Sequence, residues 1–235
     1  MKTIGLIGGM SWESSLEYYR IINERVKDKL GGLHSAECLL WSFDFAEIEA
    51  LQMAGDWDAA TARMIDAAQR VERGGADCIV ICTNTMHKMA GAVQAAVNIP
   101  VLHIADTTAE LICADGLHTI GLLGTRFTME QDFYKGRLTD QFGLKVLVPD
   151  EAGREIVHRA IYDELCLGIV RDDSRAAYLK IMDDLVAQGA QAIILGCTEI
   201  TLLIKPEHTP IRLYDTTRIH AESAVDWALK EVISQ

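Results

Sequence analysis

Two short segments of this 235-residue chain carry the side chains that proton chemistry at carbon requires. One is Ile79-Val-Ile-Cys-Thr-Asn-Thr-Met-His87, and the other is Ile193-Ile-Leu-Gly-Cys-Thr-Glu199. Each ends an apolar run and opens a polar, hydroxyl-rich turn. Aligned on their flanking residues, Thr83 pairs with Cys197, Asn84 with Thr198 and Thr85 with Glu199. Inversion of a stereocentre needs two groups on one carbon, the first withdrawing a proton from one face and the second returning one to the other. A thiol suits the first task, because its pKa of about 8.5 can be tuned toward neutrality. A hydroxyl is far less acidic, so Thr83 is not a like-for-like partner for Cys197. Without a cofactor, the charge that develops after proton loss must be neutralised by donors at the substrate carboxylate. Asn84, Thr85 and Thr198 are the candidate donors, and Glu199 is a candidate acceptor for the substrate ammonium. The structural alternative is that Asn and Thr cap helices and Glu199 sits in a first turn favoured by the helix dipole.

The elements that must position these turns follow from the hydrophobic pattern. Apolar runs at 3–8, 38–44, 78–82, 101–105, 119–124, 145–148, 192–196 and 211–214 read as strands. They alternate with helical patterns such as 60–73, 175–188 and 217–233, which indicates an α/β fold with mainly parallel sheets. The chain also repeats itself. Thr3-Ile-Gly-Leu-Ile-Gly recurs as Thr119-Ile-Gly-Leu-Leu-Gly, and Gly75-Ala76 with its strand recurs as Gly189-Ala190 with its own. Pro100 leading to Asp106-Thr-Thr recurs as Pro210 leading to Asp215-Thr-Thr. Three landmarks in the same order predict two similar α/β domains related by pseudo-twofold symmetry. The expected first domain is 1–100 plus 211–235, and the second is 101–210. Ligands bind beyond the carboxyl ends of parallel strands, so the expected site is the cleft where the duplicated strand ends meet.

Gly8-Gly9-Met10-Ser11 ends the first strand without the spacing of a dinucleotide fingerprint. It reads as a tight turn that brings Met10 and Ser11 to the substrate. The matching turn, Gly124-Thr125-Arg126, offers Thr125 as a carboxylate ligand, with Arg126 either a source of positive charge or a surface residue. His87 lies one helical turn after Thr83, where a buried, hydrogen-bonded imidazole is the favoured reading.

Composition removes several function classes. Twenty-two basic against 34 acidic residues give a net charge of −12, which disfavours nucleic-acid phosphates and anionic membrane surfaces. Apolar residues make up 49% of the chain, enough for a real core, yet no apolar stretch is long enough to span a membrane. The opening residues read as a buried strand rather than an export signal, so a cytoplasmic location with reduced thiols is expected. The six cysteines form no CxxC pair, and the seven histidines form no HxH or HExxH pattern, so no metal site is expected.

Taken together, GLIGGMSWES, CTNTMHK, GLLGTRFTMEQDFY and GCTEI resemble the aspartate/glutamate racemase family, in particular its broad-range bacterial amino-acid racemases. The resemblance spans essentially the whole chain. It implies turnover of a dicarboxylic amino acid without pyridoxal phosphate or metal, in a homodimer, by a two-base mechanism with one cysteine per half. Cys197 matches the second-half cysteine, which takes the α-proton of the L-enantiomer. Thr83 stands where the first-half cysteine belongs, and adjacent Cys82 points to the other side of the sheet by strand alternation. The implied enzyme is therefore L-preferring, with Thr83 a poor proton donor acting through a water. The resemblance also places Gln52 at the distal carboxylate and puts Cys166 where some relatives carry a basic residue. Two other readings stay open: a single-cysteine decarboxylase or isomerase of the same superfamily, and a non-catalytic amino-acid-binding relative.

Overall fold

A computed structural model describes residues 1–233. The first unit comprises residues 1–104 and the chain from Thr217 onward, and the second comprises residues 105–216. In the first unit, chain order runs β1 (Ile4–Gly8), α1 (Trp12–Leu30), β2 (Cys38–Ser42), α2 (Phe45–Ala54), α3 (Trp57–Arg73), β3 (Cys78–Ile81), a 3-10 turn (Thr85–Met89), α4 (Ala90–Ala95) and β4 (Val101–Leu102). Next come α5 (Ile104–Ala114), β5 (Thr119–Gly124), α6 (Arg126–Glu130), α7 (Asp132–Phe142), β6 (Lys145–Leu147), α8 (Glu151–Asp163), α9 (Asp172–Ala187), β7 (Ala192–Gly196), α10 (Ile200–Leu203), β8 (Leu213–Asp215) and α11 (Thr216–Ile233).

Both sheets have four strands, in the order β2-β1-β3-β4 and β6-β5-β7-β8. Every pairing is parallel: Ile4 is level with Cys38 and Cys78, and Gly124 is level with Gly196. The two sheets therefore have one topology, the structural counterpart of the sequence repeat. β1, β3 and β7 are buried at every position, which suits continuous apolar runs covered on both faces.

The repeated glycine of the TIGLIG and TIGLLG segments has a packing cause. A Cβ on Gly5 would lie 2.2 Å from Val71 of α3. A Cβ on Gly121 would lie 2.4 Å from Ile193 and 3.1 Å from Leu185 of α9. In each unit a glycine lets neighbouring side chains close onto the central strand.

The sheets place the unit boundaries elsewhere than at 100/101 and 210/211. β4 pairs with β3 and belongs to the first sheet, while β8 pairs with β7 and belongs to the second. The fourth strand of each sheet is only two or three residues long. A run that short carries little alternation, so the sequence pattern did not show which sheet it joins.

In the first unit, one face of the sheet presents Ile7, Ile79 and Ile81 to a cluster with Ile48, Met64 and Val71. The other face presents Ile4, Leu6, Val80 and Cys82 to Tyr18, Ile22 and Val26 of α1 and Val225 and Leu229 of α11. In the second unit, Leu123, Ile193 and Leu195 pack with Val157 and Ile161 of α8 and Tyr178, Met182 and Leu185 of α9. No helix among the described residues is long and apolar enough to cross a membrane.

Candidate active site

The first-unit turn begins where β3 ends. Strand alternation sends Cys82 into the fully buried α1/α11 cluster, where its thiol faces the Val80 carbonyl at 3.7 Å. Its place in that apolar cluster, with no acid-base side chain bonded to it, makes it a packing group, and burial pushes the thiol above its ordinary pKa. Thr83 is half-buried, while Asn84, Thr85, Met86 and His87 are buried. Ser14 of α1 donates its hydroxyl hydrogen to the Cys82 carbonyl at 3.1 Å, pinning the helix start to the residue before Thr83.

The β1 turn is held just as closely. Gly9 adopts φ +78°, and a Cβ there would lie 2.4 Å from the Phe43 backbone, so only glycine fits. Its N–H donates to Ser15 Oγ at 2.7 Å, and that hydroxyl donates to the Ser11 carbonyl at 3.0 Å. Ser11 is also the N-cap of α1, accepting from the Ser14 N–H at 3.3 Å. Met10 and Ser11 are both buried. Gln52 on α2 is buried in the same unit, and its amide donates to Met86 Sδ at 3.0 Å.

In the second unit, β7 ends at Gly196, whose missing Cβ would lie 2.9 Å from the Leu123 carbonyl. Cys197 follows, half-buried against the core of that unit. Its thiol donates to Glu199 Oε2 at 2.9 Å. Desolvation raises the Cys197 pKa well above the ordinary thiol range. The Glu199 charge, nearby Cys166 and the hydrogen bond to Glu199 push it the same way, opposed by the Glu199 backbone N–H. The carboxylate that sequence reasoning aimed at a substrate ammonium is thus also the partner of the thiol. Thr198 is half-buried beside it, with its carbonyl accepting from the Thr201 hydroxyl at 2.7 Å.

Thr125 is the N-cap of α6, accepting from the Thr128 N–H at 3.4 Å with the Thr128 hydroxyl 3.2 Å away. Arg126 is about half exposed and ion-paired with Glu155, the surface role rather than a ligand role. Cys166, in the 3-10 turn Leu165–Leu167, packs on the same core as Cys197 and brings no positive charge to it. Sequence reasoning missed Tyr18 and His220, which join His87 in one buried cluster. Tyr18 and His220 lie 202 positions apart, and no local pattern pairs them. Among the described residues, no three His, Cys, Asp or Glu side chains are gathered to hold a metal ion.

Parallel α/β units with polar turns at their strand ends match known proteins. The family model described as Asp/Glu/Hydantoin racemase matches residues 7–224. The chain belongs to that family. A "putative Asp/Glu Racemase" from Yersinia pestis is 55% identical, with a TM-score of 0.92, covering 97% of this chain and 100% of that one. An aspartate racemase homologue from Pyrococcus horikoshii OT3 is 35% identical, with a TM-score of 0.84, covering 97% and 99%. The broad specificity amino-acid racemase RacX of Bacillus subtilis is 24% identical over 178 residues, 72% of this chain and 73% of RacX.

Proposed function

We propose that this chain is a cofactor-independent amino-acid racemase for aspartate and glutamate that prefers the L-enantiomer. Cys197 removes the α-proton of the L-substrate, and Thr83, acting through a water, returns a proton to the opposite face. The observation that carries this reading is the 2.9 Å hydrogen bond from the Cys197 thiol to Glu199. A thiol this hard to ionise needs an acceptor within reach, and Glu199 is one. The thiol proton passes to Glu199, the thiolate takes the α-proton, and the proton on Glu199 returns to solvent in exchange for the one delivered beside Thr83.

The carbanion charge spreads into the α-carboxylate, where Asn84, Thr85 and Thr198 donate, with the Met10–Ser11 and Thr125 turns alongside. Gln52 meets the distal carboxylate. A neutral amide there accepts either side-chain length more readily than an arginine clamp does. Racemisation has an equilibrium constant of one, so L-preference is a difference in rates, not in the final mixture. Where the Thr83 step is slow, α-proton exchange with retained configuration outruns inversion. The names and identities of the relatives support the reaction class. The assembly we propose is a homodimer, measurable by light scattering.

The test is a panel of D- and L-amino acids in heavy water, followed by NMR and chiral separation. Deuterium enters the α-carbon of L-glutamate or L-aspartate faster than that of the D-forms, and Cys197→Ser loses about 10²–10⁴-fold of that exchange. Release of CO₂ from substrate marks a decarboxylase instead, and absence of wash-in marks a binder. Normal exchange in Cys197→Ser rejects the assignment of the base.

A further inference from the structure

Three buried imidazoles lie behind the Thr83 turn and take no part in the proton transfers above. His87 sits in the 3-10 turn, His103 just after β4, and His220 on α11, all at 7% exposure or less. His87 contacts both others, with ring centroids 4.6 Å from His103 and 5.5 Å from His220.

The hydrogen bonds fix which nitrogen of His87 carries the proton. The Thr83 carbonyl can only accept, so Nδ1 of His87, 2.8 Å away, must donate. The Ile104 N–H donates to Nε2 at 3.2 Å, so Nε2 must accept. Only the neutral Nδ1–H tautomer satisfies both contacts, whereas the Nε2–H form satisfies neither and the imidazolium only one. His220 is fixed in the opposite sense. Its Nε2–H donates to the Leu102 carbonyl at 2.8 Å, and its Nδ1 accepts from the Tyr18 hydroxyl at 2.9 Å. Tyr18, His220 and Leu102 thus brace the wall against which His87 packs.

The 3-10 turn does not use the Thr83 carbonyl for this purpose. The His87 backbone N–H bonds to the Asn84 carbonyl at 3.1 Å, one residue further on. The His87 side chain therefore holds the peptide group that carries Thr83. We infer that His87 is a positioning residue for the opposite-face proton delivery. Its Nδ1–H, held in that tautomer by the Ile104 N–H, anchors the Thr83 carbonyl and sets the direction in which Thr83 presents its hydroxyl.

This inference rests on Thr83 serving the second face, and its signature is specific. Exchange with retention uses Cys197 and Glu199 alone, whereas formation of the D-product also needs Thr83. Loss of the anchor therefore lowers inversion relative to retained exchange, while a general loosening of the fold lowers both together.

The test compares wild type, His87→Gln and His87→Asn on L-glutamate in heavy water, scoring D-product and deuterated L-substrate separately. Gln places an acceptor near the Nε2 position but loses the Nδ1 donor, and its ratio of inversion to exchange falls about tenfold to a hundredfold. Asn places an amide donor near the Nδ1 position and rescues the ratio. Equal ratios in all three proteins, or equal losses in Gln and Asn, overturn the inference. Heteronuclear NMR of the wild-type imidazoles reads the tautomer independently of activity and of variant folding. An Nε2–H form of His87 overturns the inference even if the enzyme is active. Absence of any exchange in wild type overturns the proposed function itself, and with it this inference.

Discussion

The Cys197 thiol and the Glu199 carboxylate are joined at 2.9 Å, two residues apart in one turn. The carboxylate raises the thiol pKa through its charge and its hydrogen bond, yet it is also the group able to take the thiol proton. These two effects act in opposite directions on two measurements. Glu199→Gln removes the negative charge, so the pH midpoint for alkylation of Cys197 by iodoacetamide shifts downward. The same substitution removes the proton acceptor, so α-proton exchange slows by about 10²-fold or more. Faster alkylation with slower exchange is the expected outcome. Exchange that speeds up along with alkylation shows that Glu199 only restrains the thiol.

Thr83 and Cys197 hold repeat-equivalent places in the sequence, and under the proposed mechanism the difference in their acidities makes proton removal from the two faces unequal in rate. Thr83→Cys supplies a thiol where a hydroxyl stood, so α-proton exchange of the D-enantiomer rises toward that of the L-enantiomer, while kcat/KM for inversion stays equal in both directions, as an equilibrium constant of one requires. Initial rates of deuterium wash-in from each pure enantiomer measure this directly. A D-rate that stays at the wild-type value shows that residue 83 does not face the reacting carbon.

The sheets were legible in the sequence because eight short apolar runs stand between glycines, prolines and amphipathic stretches. The burial of Cys82 on the α1/α11 face of the first sheet was legible too, because alternation through Cys78 and Val80 decides it. The run 101–105 was legible only in part: the strand stops at Leu102, and α5 begins at Ile104. Three features of the site were not legible. The Glu199 carboxylate folds back onto its own turn, which residue types alone do not dictate. The Gln52 amide reaches Met86 Sδ across 34 positions. Tyr18 and His220 meet only because α1 and α11 cover the same face of the first sheet.

Ser14 offers a test of how tightly that first turn is held. Its hydroxyl is the donor to the buried Cys82 carbonyl, directly before Thr83. Ser14→Ala leaves that acceptor without its donor and costs about 1–3 kcal/mol of stability. In a chain of this length the melting temperature falls roughly 2–4 °C for each kcal/mol lost. Calorimetry of the purified variant measures the shift, and an unchanged melting temperature means that water replaces the hydroxyl at no cost.

His87 makes stability depend on pH in a definite direction. Its burial, followed by His103 and His220 beside it, holds its pKa well below the ordinary value of 6.5, against the opposing pull of the Thr83 and Leu102 carbonyls. Below about pH 6.5 the unfolded chain takes up a proton at this residue while the folded chain does not. Stability is therefore complete above that pH and declines as pH falls from 6.5 toward the depressed folded value. The limiting slope is about 1.4 kcal/mol per pH unit for one such proton. His158, lowered by burial and by Arg126, adds in the same direction. Asp66 and Asp226, held low by ion pairs, Asp115, held low by the Tyr214 hydroxyl and then Arg212, and Glu231, held low by Lys2, lose their contribution only in more acid solution, near and below their ordinary carboxyl values of 3.8 for aspartate and 4.5 for glutamate. Urea unfolding between pH 7.5 and pH 5 thus isolates the histidines, to within about half a pH unit at the acid end. The wild-type curve slopes downward across that window, and His87→Asn makes it shallower, leaving the His158 share. An equal slope in both proteins shows that His87 is protonated in the folded chain, a state in which its Nε2 could no longer accept from the Ile104 N–H.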